Sequence, residues 1–420
     1  MPRGSDKGFS DAEIQEISGL LSDIECSWSQ VPRTYIILRT IGHLQVIEEL
    51  LAVDFSDHWF PVTVRNLPPT RSLTPSIRSA IVDNQKLILT KSIDLEKGEN
   101  GRHRHFEHGD VLPFQDGDIL GTGTYGRVDK VLSLISYKKY ARKSIYRAGQ
   151  SAASIRQFAN EVQILKSMKH PHVVELMGSY TDPVFFAIIM SPVADMDFSK
   201  YLEMCQQSSH HTLRTYFGCL ATALQYLHRN NIRHKDIKPQ NILIHGSDIL
   251  FTDFGLSRDT TGADSASSGF TGYTPRYCAP EVTEYDSRSY PSDIWSLGCV
   301  FLEMLAVLKG QRLQWMKDFY AARGTGQPFV RTNTEATVQL LAALEEMEQW
   351  SDNSAIQWVE DMTQRSPQRR PTAAALVKAI MGSDRQRIMS PWCGLCCTHE
   401  EEPARGVDDL SDEFFERTVR

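Results

Sequence analysis

The stretch from Arg233 to Asn241, RHKDIKPQN, puts an Asp, a Lys and an Asn close together, and Thr252–Gly255, TDFG, adds a second Asp beyond the next apolar segments. A carboxylate can take the proton of a hydroxyl nucleophile, and an ammonium can meet a moving phosphoryl group. Amide and carboxylate oxygens can hold a hard divalent cation such as Mg²⁺. Asp236, Lys238, Asn241 and Asp253 therefore read as candidates for a phosphoryl-transfer centre, with Asn241 and Asp253 as the metal ligands. An Asp or Asn in a turn is usually structural. The weight lies on the order and spacing of the whole set.

The chain must supply elements that position such a set. Its 420 residues suggest two or three domains, and 41% hydrophobic with 23% charged residues is the composition of a soluble globular protein. A formal net charge of −7 argues against a general nucleic-acid binder. Met1–Ser10 has no apolar core, so no secretory signal is expected, and no apolar run is read as approaching the roughly 18 residues of a spanning helix. Pro2 and the terminal T-V-R fit neither myristoylation nor prenylation. Eight Cys, sparse except for Cys393, Cys396 and Cys397, fit a reducing compartment, so cytosol or nucleus is expected.

Upstream, ILGTGTYGRV carries Gly121, Gly123 and Gly126, a spacing that also precedes helices in dinucleotide folds. Here strand-like runs follow at 128–134 and 139–145, which makes a strand–turn–strand. With HKDIKPQN, DFG and the YARK strand at Tyr140–Lys143, the chain resembles eukaryotic serine/threonine protein kinases over about residues 114–383. The resemblance implies an α+β, two-lobed fold: a small antiparallel sheet with one helix at 114–190, a hinge at 191–195, and a mainly helical lobe at 196–383. It also implies ATP with Mg²⁺, or Mn²⁺, as cofactors and protein hydroxyls as substrates.

On that likeness the glycine loop with Ile119 and Leu120 would cover the phosphates, and Val128, Ala141 and Leu243 would sandwich the adenine. Lys143 would hold the α- and β-phosphates and pair with Glu161 in the active state. Glu161 sits beside the apolar stripe of a helix expected at 154–169. Met190 takes the gatekeeper place, Val193 a hinge contact, and Thr252 borders the same nucleotide. Asp197 would bind ribose, though a helix cap explains it equally well. In the second lobe, His234 would pack beneath Phe254, and Thr274 would contact Lys238 and Asp236. Asp293 would anchor the loop backbone, and Glu281 would pair with Arg370.

Lys235 departs from the family's usual Arg. It offers no bidentate fork, so a phosphate among Thr260, Thr261, Ser265, Ser267, Ser268 or Thr271 would be gripped less specifically. Gln240 is neutral where basic-directed kinases carry an acid. A pseudokinase and a small-molecule kinase are the competing readings. The first rests on Lys235 and the large flanks; the second conflicts with the TPRYCAPE platform.

Residues 1–96 read as mainly helical, an addition that occurs on kinases of filamentous fungi, with helices at 11–22, from Pro32 to about Val53 and within 76–90. Residues 97–113 read as a solvated linker, its three histidines lacking a frame for a metal. Residues 384–420 read as an acidic, disordered tail. There Cys393, Cys396, Cys397 and His399 are too crowded in sequence for an ordinary zinc site, and acylation of the three thiols would add weak membrane association.

Overall fold

The computed structural model describes residues 8–397 apart from 66, 99–100, 102, 124–125, 149–151, 256–257, 260–274, 285–288, 349 and 385–390. It separates into two units, Met1–Ser151 with Leu176–Val193, and Ala152–Glu175 with Ala194–Arg420.

The first unit opens with α1 (Asp11–Ser22), capped by Ser10. Ser10 accepts from the Glu13 amide, and the Glu13 carboxylate accepts from the Ser10 amide at 2.9 Å. After α2 (Cys26–Ser29), the single helix expected from Pro32 to Val53 is broken. It consists of α3 (Pro32–Thr40), a 3-10 turn at Leu44–Val46 and α4 (Ile47–Leu51), parted at Gly42 with φ +76°. The buried start of α3 is capped across the chain by Asp57, which accepts from the Arg33 and Thr34 amides at 2.7 and 2.9 Å. With α5 (Pro75–Asn84), these helices enclose a core around Ile37, Val46, Leu50, Phe60 and Ile81.

The same unit carries a six-stranded sheet of β1 (Arg104–His105), β2 (Phe114–Gly123), β3 (Gly126–Ser133), β4 (Lys139–Tyr146), β5 (Glu175–Thr181) and β6 (Phe185–Ser191), ordered β1-β5-β6-β4-β3-β2. The residues expected as a solvated linker thus contribute β1, which pairs parallel to β5. His103 lies with one ring nitrogen 2.9 Å from Ser179 Oγ and the other 2.8 Å from Thr181 Oγ, and Phe106 is buried. Polar side chains that read as solvated are satisfied by hydroxyls of the neighbouring strand. One face of the sheet, with Val131, Tyr140 and Ile189, packs on Leu95 and Phe106. Buried Glu96 accepts from the Tyr140 hydroxyl at 2.7 Å and from Ser133.

The second unit begins with α6 (Ala152–Ser167) and continues through β7 (Met196–Asp197), α7 (Phe198–Met204), α8 (His210–Arg229), β8 (Ile232–Arg233), β9 (Ile242–His245), β10 (Asp248–Phe251) and β11 (Arg258–Asp259). Helices α9 (Pro280–Thr283), α10 (Tyr290–Leu308), α11 (Leu313–Arg323), α12 (Thr334–Glu345), α13 (Ser354–Met362) and α14 (Ala373–Asp384) complete it. Against expectation, α10 is long and apolar enough to cross a membrane by length and composition, with mean hydropathy 1.4 over its window. That window is 89% buried, and α10 is the core helix of this unit.

A second correction concerns the tail. Residues 391–397 are not disordered: Trp392 is buried between Phe217 and Trp358, with ring centroids at 5.2 and 4.9 Å. The acidic remainder, with His399, lies outside the described residues.

Candidate active site

The catalytic loop leaves α8 through β8 and turns between two buried supports. Asp293, near the start of α10, accepts the amide hydrogens of His234 at 2.9 Å and Lys235 at 2.8 Å. Burial by itself would raise the Asp293 pKa. The hydrogen bond and charge of His228, then His234 and the Lys235 amide, outweigh it and hold the carboxyl below its ordinary range. Lys235 is held at φ +67°, a left-handed backbone that costs a Lys about 1 kcal/mol. On the other side the His234 ring packs 4.9 Å from the Phe254 ring, and its Nε2 lies 3.1 Å from the Thr252 carbonyl.

Held in this way, three of the expected residues converge. Lys238 Nζ lies 2.7 Å from Asp236 Oδ2, and Asn241 Nδ2 donates to that same oxygen at 2.9 Å and to the Asp236 carbonyl at 2.9 Å. Asn241 thereby commits its nitrogen to the loop, which leaves its amide oxygen as the atom that could meet a metal. Asp253 has φ +64°, a conformation Asp tolerates better than most residues. A Cβ on Gly255 would stand 3.5 Å from Asp253 Oδ1 and 3.3 Å from Glu161 Oε2, so both carboxylates border this glycine. An amide oxygen and a carboxylate on one loop system are hard oxygen donors, and they suit Mg²⁺.

In the first unit, strand register gathers the nucleotide residues. Gly121 is opposite Val128, Gly123 opposite Gly126, Val128 opposite Lys143, and Ala141 opposite Met190. Paired residues point to one side of a sheet, so all of these share the face that Leu95 and Phe106 do not cover. Gly126 has a second reason to be glycine: a Cβ there would meet the Ser144 carbonyl oxygen at 1.9 Å, whereas Gly121 faces open space. Ile119 and Leu120 are exposed. Val193 closes the first unit, while Glu161, Asp197, Leu243 and Thr252 belong to the second. Asp197 is opposite Leu243 and caps α7, accepting from the Lys200 amide at 3.1 Å, so the cap is its observed role.

Glu281 and Arg370 pair as expected, at 2.6 and 2.8 Å through both oxygens. Glu303, missed in the sequence, accepts from the Tyr277 hydroxyl at 3.0 Å and pairs with Arg276 at 2.7 Å, tying the TPRY segment to α10. Its signal was a carboxylate in the middle of the apolar run that follows Asp293 in α10. Thr274 and the hydroxyls from Thr260 to Thr271 lie outside the described residues.

Residues 114–380 match the family described as "Protein kinase domain". The chain belongs to the protein kinase family. It is similar to "Serine/threonine-protein kinase fused" of Drosophila melanogaster, 33% identical over 189 residues that make up 45% of this chain and 23% of the relative. It also resembles "Mitogen-activated protein kinase kinase kinase 3" of Arabidopsis thaliana, 32% identical over 47% of this chain and 32% of the relative. A third relative is "Serine/threonine-protein kinase 33" of Bos taurus, 30% identical over 48% of this chain and 44% of the relative. The matched region thus spans less than half the length of these relatives.

Proposed function

We propose that this protein transfers the γ-phosphoryl group of ATP to serine and threonine hydroxyls of proteins in a signalling pathway. The observation that carries the reading is the single Asp236 oxygen shared by Lys238 Nζ and Asn241 Nδ2. Asp236 orients the attacking hydroxyl and receives its proton. Lys238 brings a positive charge beside it, where the moving phosphoryl group needs one. Lys143 and the glycine-bearing sheet face bind the nucleotide. Mg²⁺ held by Asn241 and Asp253 would neutralise charge on the phosphate oxygens. Eight cysteines outside any disulfide suit the cytosol or nucleus. Gln240 favours substrates without an Arg-rich motif.

The test is incubation with radiolabelled Mg·ATP and a generic protein, with D253A as control and phosphoamino-acid analysis of the product. Phosphoserine and phosphothreonine dependent on Asp253 are expected. Equal incorporation by both proteins, none by either, or phosphotyrosine alone would defeat the proposal.

A further inference from the structure

The described part of the tail beyond the family domain reaches a cluster of one imidazole and three thiols drawn from three parts of the second unit. His172 lies between α6 and β5, Cys219 is on α8, and Cys396 and Cys397 close a short 3-10 turn. Their ligand atoms all lie within 4.8 Å of one another. The Sγ atoms of Cys219 and Cys396 are 3.8 Å apart, Cys396 and Cys397 3.9 Å, and Cys397 and Cys219 3.8 Å. His172 Nε2 lies 3.2 Å from Cys397 Sγ.

The three sulfur–sulfur separations match those of a tetrahedral site of known size. A tetrahedral Zn²⁺ with Zn–S bonds of about 2.3 Å holds its sulfurs about 3.8 Å apart, and an imidazole nitrogen at about 2.0 Å stands about 3.5 Å from each sulfur. The imidazole is also pre-set. His172 Nδ1 lies 2.8 Å from the Ile249 carbonyl, which can only accept, so Nδ1 carries the proton and Nε2 presents its lone pair to the sulfurs. His172, Cys219 and Cys397 are buried, and Cys396 closes the exposed side.

We propose that His172, Cys219, Cys396 and Cys397 bind one structural zinc ion that fastens the tail to α8. Uptake breaks three S–H bonds, forms three Zn–S bonds and one Zn–N bond, and releases three protons to solvent. The crowding of the tail cysteines in sequence misleads, because two of the four ligands come from elsewhere and His399 is not needed. Cys393 hydrogen-bonds to Cys219 and Cys397 but stays outside the four-ligand set. The docking that brings the tail there is built in. The Gly218 amide donates to the Trp392 carbonyl at 2.8 Å, and a Cβ on Gly218 would come within 2.6 Å of that oxygen and of Cys393 Cβ.

The test is the metal content of the full chain, purified under reducing conditions without chelator or histidine tag. About one zinc per chain is expected. C219S and C396S should each lower it about tenfold or more, while C393S keeps it. Exchange with Co²⁺ should give tetrahedral and thiolate charge-transfer absorption that C396S abolishes. The wild-type content decides even where a ligand variant fails to fold. Metal-free protein with reduced thiols, a Cys219–Cys396 disulfide, acylated tail thiols, or loss of metal in C393S equal to that in C396S would each overturn the assignment.

Discussion

Arg370 grips both oxygens of Glu281, at 2.6 and 2.8 Å, with its guanidinium 4.9 Å from the centre of the Trp295 ring. The Arg side chain is 0% exposed, so removing either partner strands a charge. E281A and R370M should each lose about 3 kcal/mol or more in denaturant unfolding, because each leaves one buried charge unpaired. Replacing both by apolar residues should cost less than the two single changes added together. Additive losses would show that the pair does not act as a unit.

The proposed function gives the proton transfer to Asp236. D236A should lower kcat by about a hundredfold to ten-thousandfold with unfolding behaviour unchanged. K238A should lower kcat more than it changes the KM for ATP, because Lys238 sits on the Asp236 oxygen. An unchanged kcat in D236A would remove that residue from the chemistry.

The loop's dependence on Asp293 can be separated from the chemistry. D293A deprives the His234 and Lys235 amides and His228 of their acceptor, and should cost about 2 kcal/mol or more of stability together with activity. K235G should leave stability unchanged or slightly raised, since glycine adopts φ +67° without strain. A large loss of stability in K235G would mean that the Lys235 side chain, not its backbone, holds the loop.

His103 predicts an acid response. Burial first, and the neighbouring His105 second, push its pKa down to about 3 from the ordinary 6.5. Between those values the unfolded chain binds a proton that the folded chain refuses, so stability falls as pH drops from about 6.5 towards about 3. H103Q should flatten the pH dependence of the denaturation midpoint in that window. Identical profiles for the two proteins would refute the assignment.

What could be read from the sequence was local or chemically obligatory. The start of α1 is written within four residues by the Ser10–Glu13 capping box, and the catalytic loop is legible because phosphoryl transfer needs those residue types in that order. Strand β1 was not legible, because its partner β5 lies some seventy residues away (Arg104 opposite Tyr180) and polar residues on a covered edge read as solvated. The break at Gly42 was hidden by an apolar pattern that continues through it. The thiol cluster was missed for the same reason as β1: His172 and Cys219 reach the tail only through the fold.

Strand β1, Leu95 and Glu96 all precede residue 114, where the match to the family begins. The unit of folding is therefore larger than the unit of homology. A polypeptide trimmed to the family limits would uncover the hydrogen-bonding edge of β5 and open the packed face of the six-stranded sheet at Tyr140. It would keep every residue of the candidate site, yet offer a bare strand to its neighbours and aggregate.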